Sequence, residues 1–281
     1  MTAAVLALLA SFSWGTADFL GGLESRRTTS WTAALAGQVV ASLCLLVLLA
    51  VTAPERPALI ALVAPAVGGA IGGVGAVLQY RALSLVDMSV VSPIVGGAAL
   101  VPVLWGIATG ERPGALQVLG IACTLVGIAL ISRKERGAPR EARSVDRRGV
   151  LLALLSAAAF GLFLVVLDYG GKSSPLYTVA VARTAAALTL LAVAVVTRPA
   201  IRLRRRALPA LLLIGVLIAA ANLLFTTATT YGYLSIVGVL GWLNPAVTMV
   251  WAAVVLRERL TPLRLTAAAL VFTGIVCITL G

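Results

Sequence analysis

Read for polarity alone, the chain is a series of long uncharged apolar runs separated by short charged or proline-rich punctuation. A helix needs about 20 mostly apolar residues to cross a hydrocarbon layer of about 30 Å. The runs at 3–22, 31–52, 59–80, 88–109, 115–132, 149–167, 176–197, 207–230, 234–256 and 262–280 therefore predict ten membrane-spanning helices joined by short connections. One connection differs: residues 133–148, RKERGAPREARSVDRR, read as a basic, solvated linker. No basic residue precedes the first run, and it continues through Trp14, Asp18 and Phe19 without a cleavage region, so it is expected to be a retained helix. Ser92-Pro93, Ser174-Pro175 and Thr261-Pro262 put a capping residue before a proline, as helix starts do. Asn244-Pro245 falls inside the ninth run instead, where it would free backbone groups that need partners, and predicts a kink or a break. In the third run, Gly68 with Gly72 and Gly69 with Gly73 form overlapping small-residue pairs that favour close helix packing.

Composition agrees with this pattern. Of 281 residues, 60% are hydrophobic and 11% charged, and the mean hydropathy is +1.06. Soluble domains sit nearer ~45–50% apolar and ~25% charged. With no histidine, imidazole metal sites and His-based triads are excluded. Cys44, Cys123 and Cys277 lie far apart within apolar runs and match no zinc spacing, so they read as small core hydrophobes. No phosphate-binding G-x-x-x-x-G-K-[ST] loop is present and no cofactor is implied. The net charge of +12 does not point to nucleic acid, because basic residues beside membrane spans follow from the positive-inside bias.

The chain also repeats itself. LLASFSWG at 8–15 aligns with LLSAAAFG at 154–161, an offset of 146. GERPGALQVLGIACTLVGI at 110–128 aligns with RERLTPLRLTAAALVFTGI at 257–275, an offset of 147, which superposes Glu111 on Glu258 and Gly127 on Gly274. The expected organisation is a first five-helix unit over 1–132, the linker over 133–148 and a second five-helix unit over 149–281. An odd number of crossings leaves the chain on the opposite face, so the second unit enters the bilayer inverted. Inverted repeats with a substrate site near the midplane are an architecture of secondary transporters.

With these residues in view, the chain resembles the EamA-type members of the drug/metabolite transporter superfamily. The resemblance rests on Trp14-Gly15 and Phe160-Gly161 in the opening helix of each unit, on Gly110-Glu111-Arg112 and Arg257-Glu258-Arg259 after the fourth, and on Gly127 and Gly274 in the last. It implies an all-α bundle of ten helices around a central cavity and the export or import of small metabolites. Such proteins often carry an arginine near the start of a repeat's second helix, where Arg183 stands in the second unit and Gln38 in the first.

Ionisable groups within a bilayer are costly and therefore candidate functional groups. Asp18, Asp168 and Arg183 stand out. Arg183 either pairs with Asp168 across the short sixth-to-seventh connection or meets the substrate; Asp18 is a candidate for substrate contact or for carrying a coupling proton. The candidate substrate-binding set is Trp14, Asp18, Gln38, Gln79, Tyr80, Arg183, Asn222, Trp242 and Asn244, the mixture of aromatic, amide and charged groups expected of a small-molecule pocket. Glu111 and Glu258 read as helix-end residues favoured by the dipole of the helix that follows.

Loops after odd-numbered runs carry 18 Lys and Arg, counting Arg264 at the start of the tenth run with the loop before it, and loops after even-numbered runs carry 3, with Arg183 deeper inside a run. This bias places the odd loops in the cytoplasm and both termini outside, whereas the resemblance implies cytoplasmic termini; the sequence fixes only that both ends share one side. The expected function is secondary active transport of a small metabolite, such as an amino acid or a drug-like amphipathic compound, with the lipid bilayer as the surrounding partner. An integral-membrane enzyme acting on a lipid-linked substrate, or a channel-like bundle, is the alternative. The former would want clustered carboxylates or histidines that the runs lack.

Overall fold

A computed structural model of the chain describes residues 1–85, 91, 94–131, 147–255 and 262–280. Every regular element among them is helical: α1 (Thr2–Arg27), α2 (Ser30–Thr52), α3 (Val63–Leu85), α4 (Leu100–Ala108), α5 (Ala115–Ile131), α6 (Arg147–Gly171), α7 (Pro175–Thr197), α8 (Leu208–Thr229), α9 (Leu234–Gly241), α10 (Asn244–Val255) and α11 (Pro262–Leu280), with single 3-10 turns leading into α3, α4 and α8. Seven described segments are long and apolar enough to cross a membrane, and Ile94–Ala108, Ala115–Leu130 and Leu265–Leu280 are shorter apolar helices. The protein is thus an all-helical, multi-pass membrane protein.

The ninth run breaks as its Asn-Pro predicts. Helix α9 stops at Gly241, and α10 restarts at Asn244 with Pro245 in its first turn, where a missing N–H leaves no hydrogen bond unmade. Most of the linker, the Glu258 region and the Ser92-Pro93 and Thr261-Pro262 junctions lie outside the described residues.

Packing partners exchange between the halves. Helix α1 packs most closely on α8, and α3 on α6; α2 also packs on α8, and α3 on α7. Counting α9 and α10 as one broken element, each relation becomes the other when α1–α5 are swapped with α6–α11. The pairs α2–α7, α5–α11 and α4–α9 map onto themselves. Small details repeat too. Helices α2 and α7 each have 23 residues, each is capped by a hydroxyl (Thr29, Ser174) and each ends on a left-handed residue, Ala53 at φ 37° and Arg198 at φ 45°.

The glycines of α3 explain how it serves two neighbours. A Cβ at Gly72 would come within 3.2 Å of the Phe163 ring of α6, and Gly68 likewise abuts Val166. Gly69 and Gly73 instead meet the Ala182 and Ala186 carbonyls of α7. One small-residue stripe lies against each helix, which lets backbones approach without a side chain between them.

Candidate functional site

At mid-depth of the bundle, α1 crosses the break between α9 and α10. Gly15 makes the crossing possible: a Cβ there would lie 2.5 Å from Val247 Cβ and 2.7 Å from the Asn244 carbonyl oxygen. Three hydrogen bonds tie the seam. Asn244 Nδ2 donates to Asp18 Oδ2 (2.7 Å), Thr248 Oγ1 to the Gly15 carbonyl (3.0 Å), and the Trp251 indole N–H to Thr16 Oγ1 (2.9 Å). Asp18 has no cationic partner among the described residues, whose ion pairs are Arg27–Glu24 and Lys172–Asp168.

One turn before Asp18, Trp14 joins an aromatic group. Its ring lies 5.6 Å from Phe225 and 6.4 Å from Trp242, and Trp242 lies 6.0 Å from Phe160. Trp14 and Phe160 are the repeat-equivalent aromatics, so the first helices of both units converge on the residue that ends α9. Tilted and edge-on contacts at these separations are each worth about 0.5–1.5 kcal/mol beyond burial.

The equivalent crossing in the other half is built to the same register, with different residues. Gly161 of α6 meets the Ala98 carbonyl oxygen at 2.7 Å and the Val101 side chain, where Gly15 meets Asn244 and Val247. All three pairs are separated by 146 residues. In that register Asp18 becomes Leu164 and Asn244 becomes Ala98, and both counterparts are fully buried. Asp18 is exposed. The two equivalent positions thus differ, Leu164 being sealed and Asp18 accessible.

The second polar locus joins α2 to α7. Arg183 is buried at 7% exposure; its Nη1 donates to Gln38 Oε1 at 3.2 Å and its guanidinium carbon sits 4.3 Å from the Phe163 ring centre. The expected ion pair with Asp168 does not form. Asp168, near the end of α6, is paired instead with Lys172 one turn on, at 3.4 Å, while Arg183 lies nine residues into α7. The amide that takes its place is the one sequence reasoning had set at the matching position of the first unit.

The remaining candidates divide. Asn222 is fully buried; it donates to the Ile218 carbonyl in its own helix at 2.6 Å, and its Oδ1 has no partner among the described residues. Gln79 is half-buried on α3, in the register of Phe225. The Tyr80 side chain lies outside the described residues. Trp14, Asp18, Trp242 and Asn244 are therefore brought together, Gln38 and Arg183 form a pair of their own, and among the described residues no hydrogen bond links Gln79 or Asn222 to either group.

Sequence reasoning missed three features. Phe225 and Phe160 complete the aromatic group, and only Phe160 carried a signal, as half of a repeated motif. Glu24 is buried at 4% exposure with Arg27 on one oxygen and, among the described residues, no partner on the other, although the run was expected to end before it. Glu111 does bind a helix start, but of a different helix from the one expected. Rather than favouring α5, its carboxylate crosses to the second half and accepts the N–H groups of Leu234 (2.6 Å) and Ser235 (2.9 Å) at the start of α9. The loop folds back through a bond from Glu111 N–H to the Gly106 carbonyl, and a glycine at 106 leaves room for the carboxylate.

Comparison with known proteins gives the following. The family profile described as "EamA-like transporter family" matches twice, over residues 1–133 and 147–280. No curated protein matches the sequence. A solved crystal structure of a protein superposes with a TM-score of 0.81 at 17% identity, over 99% of this chain and 96% of the other, a likeness of fold.

Proposed function

Because the chain belongs to the EamA-like transporter family, we propose that it is a secondary active transporter that exports small metabolites, such as amino acids or drug-like amphipathic compounds, by alternating access. In this reading 1–132 and 149–281 are two inverted five-helix repeats joined by the basic linker 133–148, the shorter apolar helices complete ten spans, and the protein sits in the cell membrane.

The observation that carries the reading is the unequal state of two equivalent crossings. Asp18 is open where Leu164 is sealed, as expected of a carrier resting with one gate open and one shut. The open side corresponds to the later half of α1, the end followed by Arg27 and by the other Arg-rich odd-numbered loops. By charge bias that end is cytoplasmic and the termini face outward, and a cytoplasm-facing opening is how an exporter loads. Trp14, Asp18, Trp242 and Asn244 supply an aromatic wall and a carboxylate for the cargo, with Gln38, Gln79, Arg183 and Asn222 as further candidate polar contacts; Asp18 is also the group through which a proton would couple.

Purified protein in liposomes preloaded with a mixture of amino acids and aromatic amines tests this. Saturable uptake of labelled compound, accelerated by unlabelled compound on the far side, is the expected result. A carrier shows such counterflow and a channel does not; its absence for every compound under both proton and membrane-potential gradients overturns the proposal.

A further inference from the structure

Among the described residues, Arg183 is a buried cation with no anion. At 7% exposure and nine residues into a 23-residue helix, its guanidinium meets one neutral oxygen, Gln38 Oε1, and one ring face, Phe163. Its Nε is buried and has no acceptor among the described residues. An amide dipole and a cation–π contact of about 0.5–2 kcal/mol only partly offset a desolvation cost of several kcal/mol for a buried ion. A guanidinium edge left without an acceptor matches a carboxylate, which takes two parallel N–H groups.

Its position adds a second, independent argument. Gln38 and Arg183 are each the ninth residue of a 23-residue helix, and they touch. Four residues on, Ser42 shares a 2.7 Å hydrogen bond with Thr184 of the same partner helix. Equivalent residues of two related units meet only beside the axis that exchanges the units. A group on that axis keeps its distance to both halves when they rock, so a ligand it holds stays held in either state. Asp18 and its counterpart Leu164 have no such constancy, being open in one half and sealed in the other.

We propose that Arg183, steadied by Gln38 and Phe163, binds the carboxylate of the transported metabolite from beside the pseudo-twofold axis. The cargo is then a carboxylate-bearing compound. This rests on the transporter reading and narrows it to a substrate class.

The test compares matched probes on the full chain in detergent and in liposomes: L-phenylalanine, its methyl ester and phenethylamine, followed by Trp fluorescence and by counterflow. Phenylalanine is expected to bind roughly 30-fold or more tightly than the ester or the amine. Arg183→Gln removes that preference and Arg183→Lys restores part of it. Gln38→Glu gives the arginine an internal anion; it is expected to keep a monodisperse protein while selectively weakening phenylalanine, which covers the case in which Arg183→Gln fails to fold. Equal binding of all three probes by the wild type, or a preference unchanged in Arg183→Gln and Gln38→Glu, overturns the anchor while counterflow of the amine leaves the transporter reading standing. Stabilisation by chloride over gluconate that disappears in Arg183→Gln, without any preference for phenylalanine, also overturns it, because the anion held is then inorganic. Absence of flux for every compound removes the transporter reading itself.

Discussion

Asp18 and Leu164 hold the same place in two halves of one chain, and their side chains decide how each crossing behaves. A carboxylate beside Asn244 keeps water and polar ligands welcome; at the equivalent positions Leu164 and Ala98 are apolar and fully buried. Asp18→Asn retains a partner for Asn244 while removing the charge, and counterflow of an amine-bearing compound is expected to fall about tenfold or more, given ~1.5–3 kcal/mol for a hydrogen bond to a charged group. Leu164→Asp places an unpaired carboxylate in a sealed contact at a cost of several kcal/mol, and a sharp loss of monodisperse protein in detergent would show it. The candidate residues were legible one by one, since a charge or amide in an apolar run announces itself. Their partners were not: the sequence offered Asp168 to Arg183 because it was near in the chain, and Gln38 won because α2 and α7 meet side by side.

At the scale of helices, ends and breaks carry most of the information. The α9–α10 break follows from Asn244-Pro245, and the pairing of α3 with two neighbours follows from two offset glycine stripes. Ala53 and Arg198 end α2 and α7 in left-handed geometry that costs a residue with a Cβ about 1–2 kcal/mol. Ala53→Gly and Arg198→Gly are each expected to stabilise the protein by about 0.5–1 kcal/mol, seen as a higher midpoint of thermal unfolding in detergent. The Glu111 clasp works in the opposite direction. Glu111→Ala leaves the Leu234 and Ser235 N–H groups without their acceptor and is expected to lower that midpoint more than Glu111→Gln, which keeps one carbonyl oxygen in reach. A motif repeated at 111 and 258 was visible in the sequence; that the first copy reaches the far half was not, because the contact spans 123 residues.

For the whole molecule, the relation between halves is the governing fact. Exchange of the halves carries the closest helix pairs into one another or onto themselves, yet the two crossings that it relates are in different states. A single cysteine at position 18, on a background with Cys44, Cys123 and Cys277 replaced by alanine, is expected to react readily with a membrane-impermeant maleimide applied to one face. A cysteine at 164 is expected to be protected there and to become reactive only from the other face. Conditions that shift the resting state should move the two reactivities in opposite directions; parallel changes would contradict a rocking exchange.

The sequence alone determined that this chain lives in a membrane as helices, that its halves are related, where one helix breaks and which polar groups stand within apolar surroundings. Each of these depends on hydrophobic period, run length or local backbone chemistry, which are properties of neighbours along the chain. Only the tertiary structure decided that Asp18 meets Asn244, that Arg183 meets Gln38, that Glu111 spans the halves and that one crossing is open while its twin is shut. Those outcomes depend on which helix faces lie against each other across more than a hundred residues, and many apolar faces of similar composition compete for that place until packing of whole surfaces selects one.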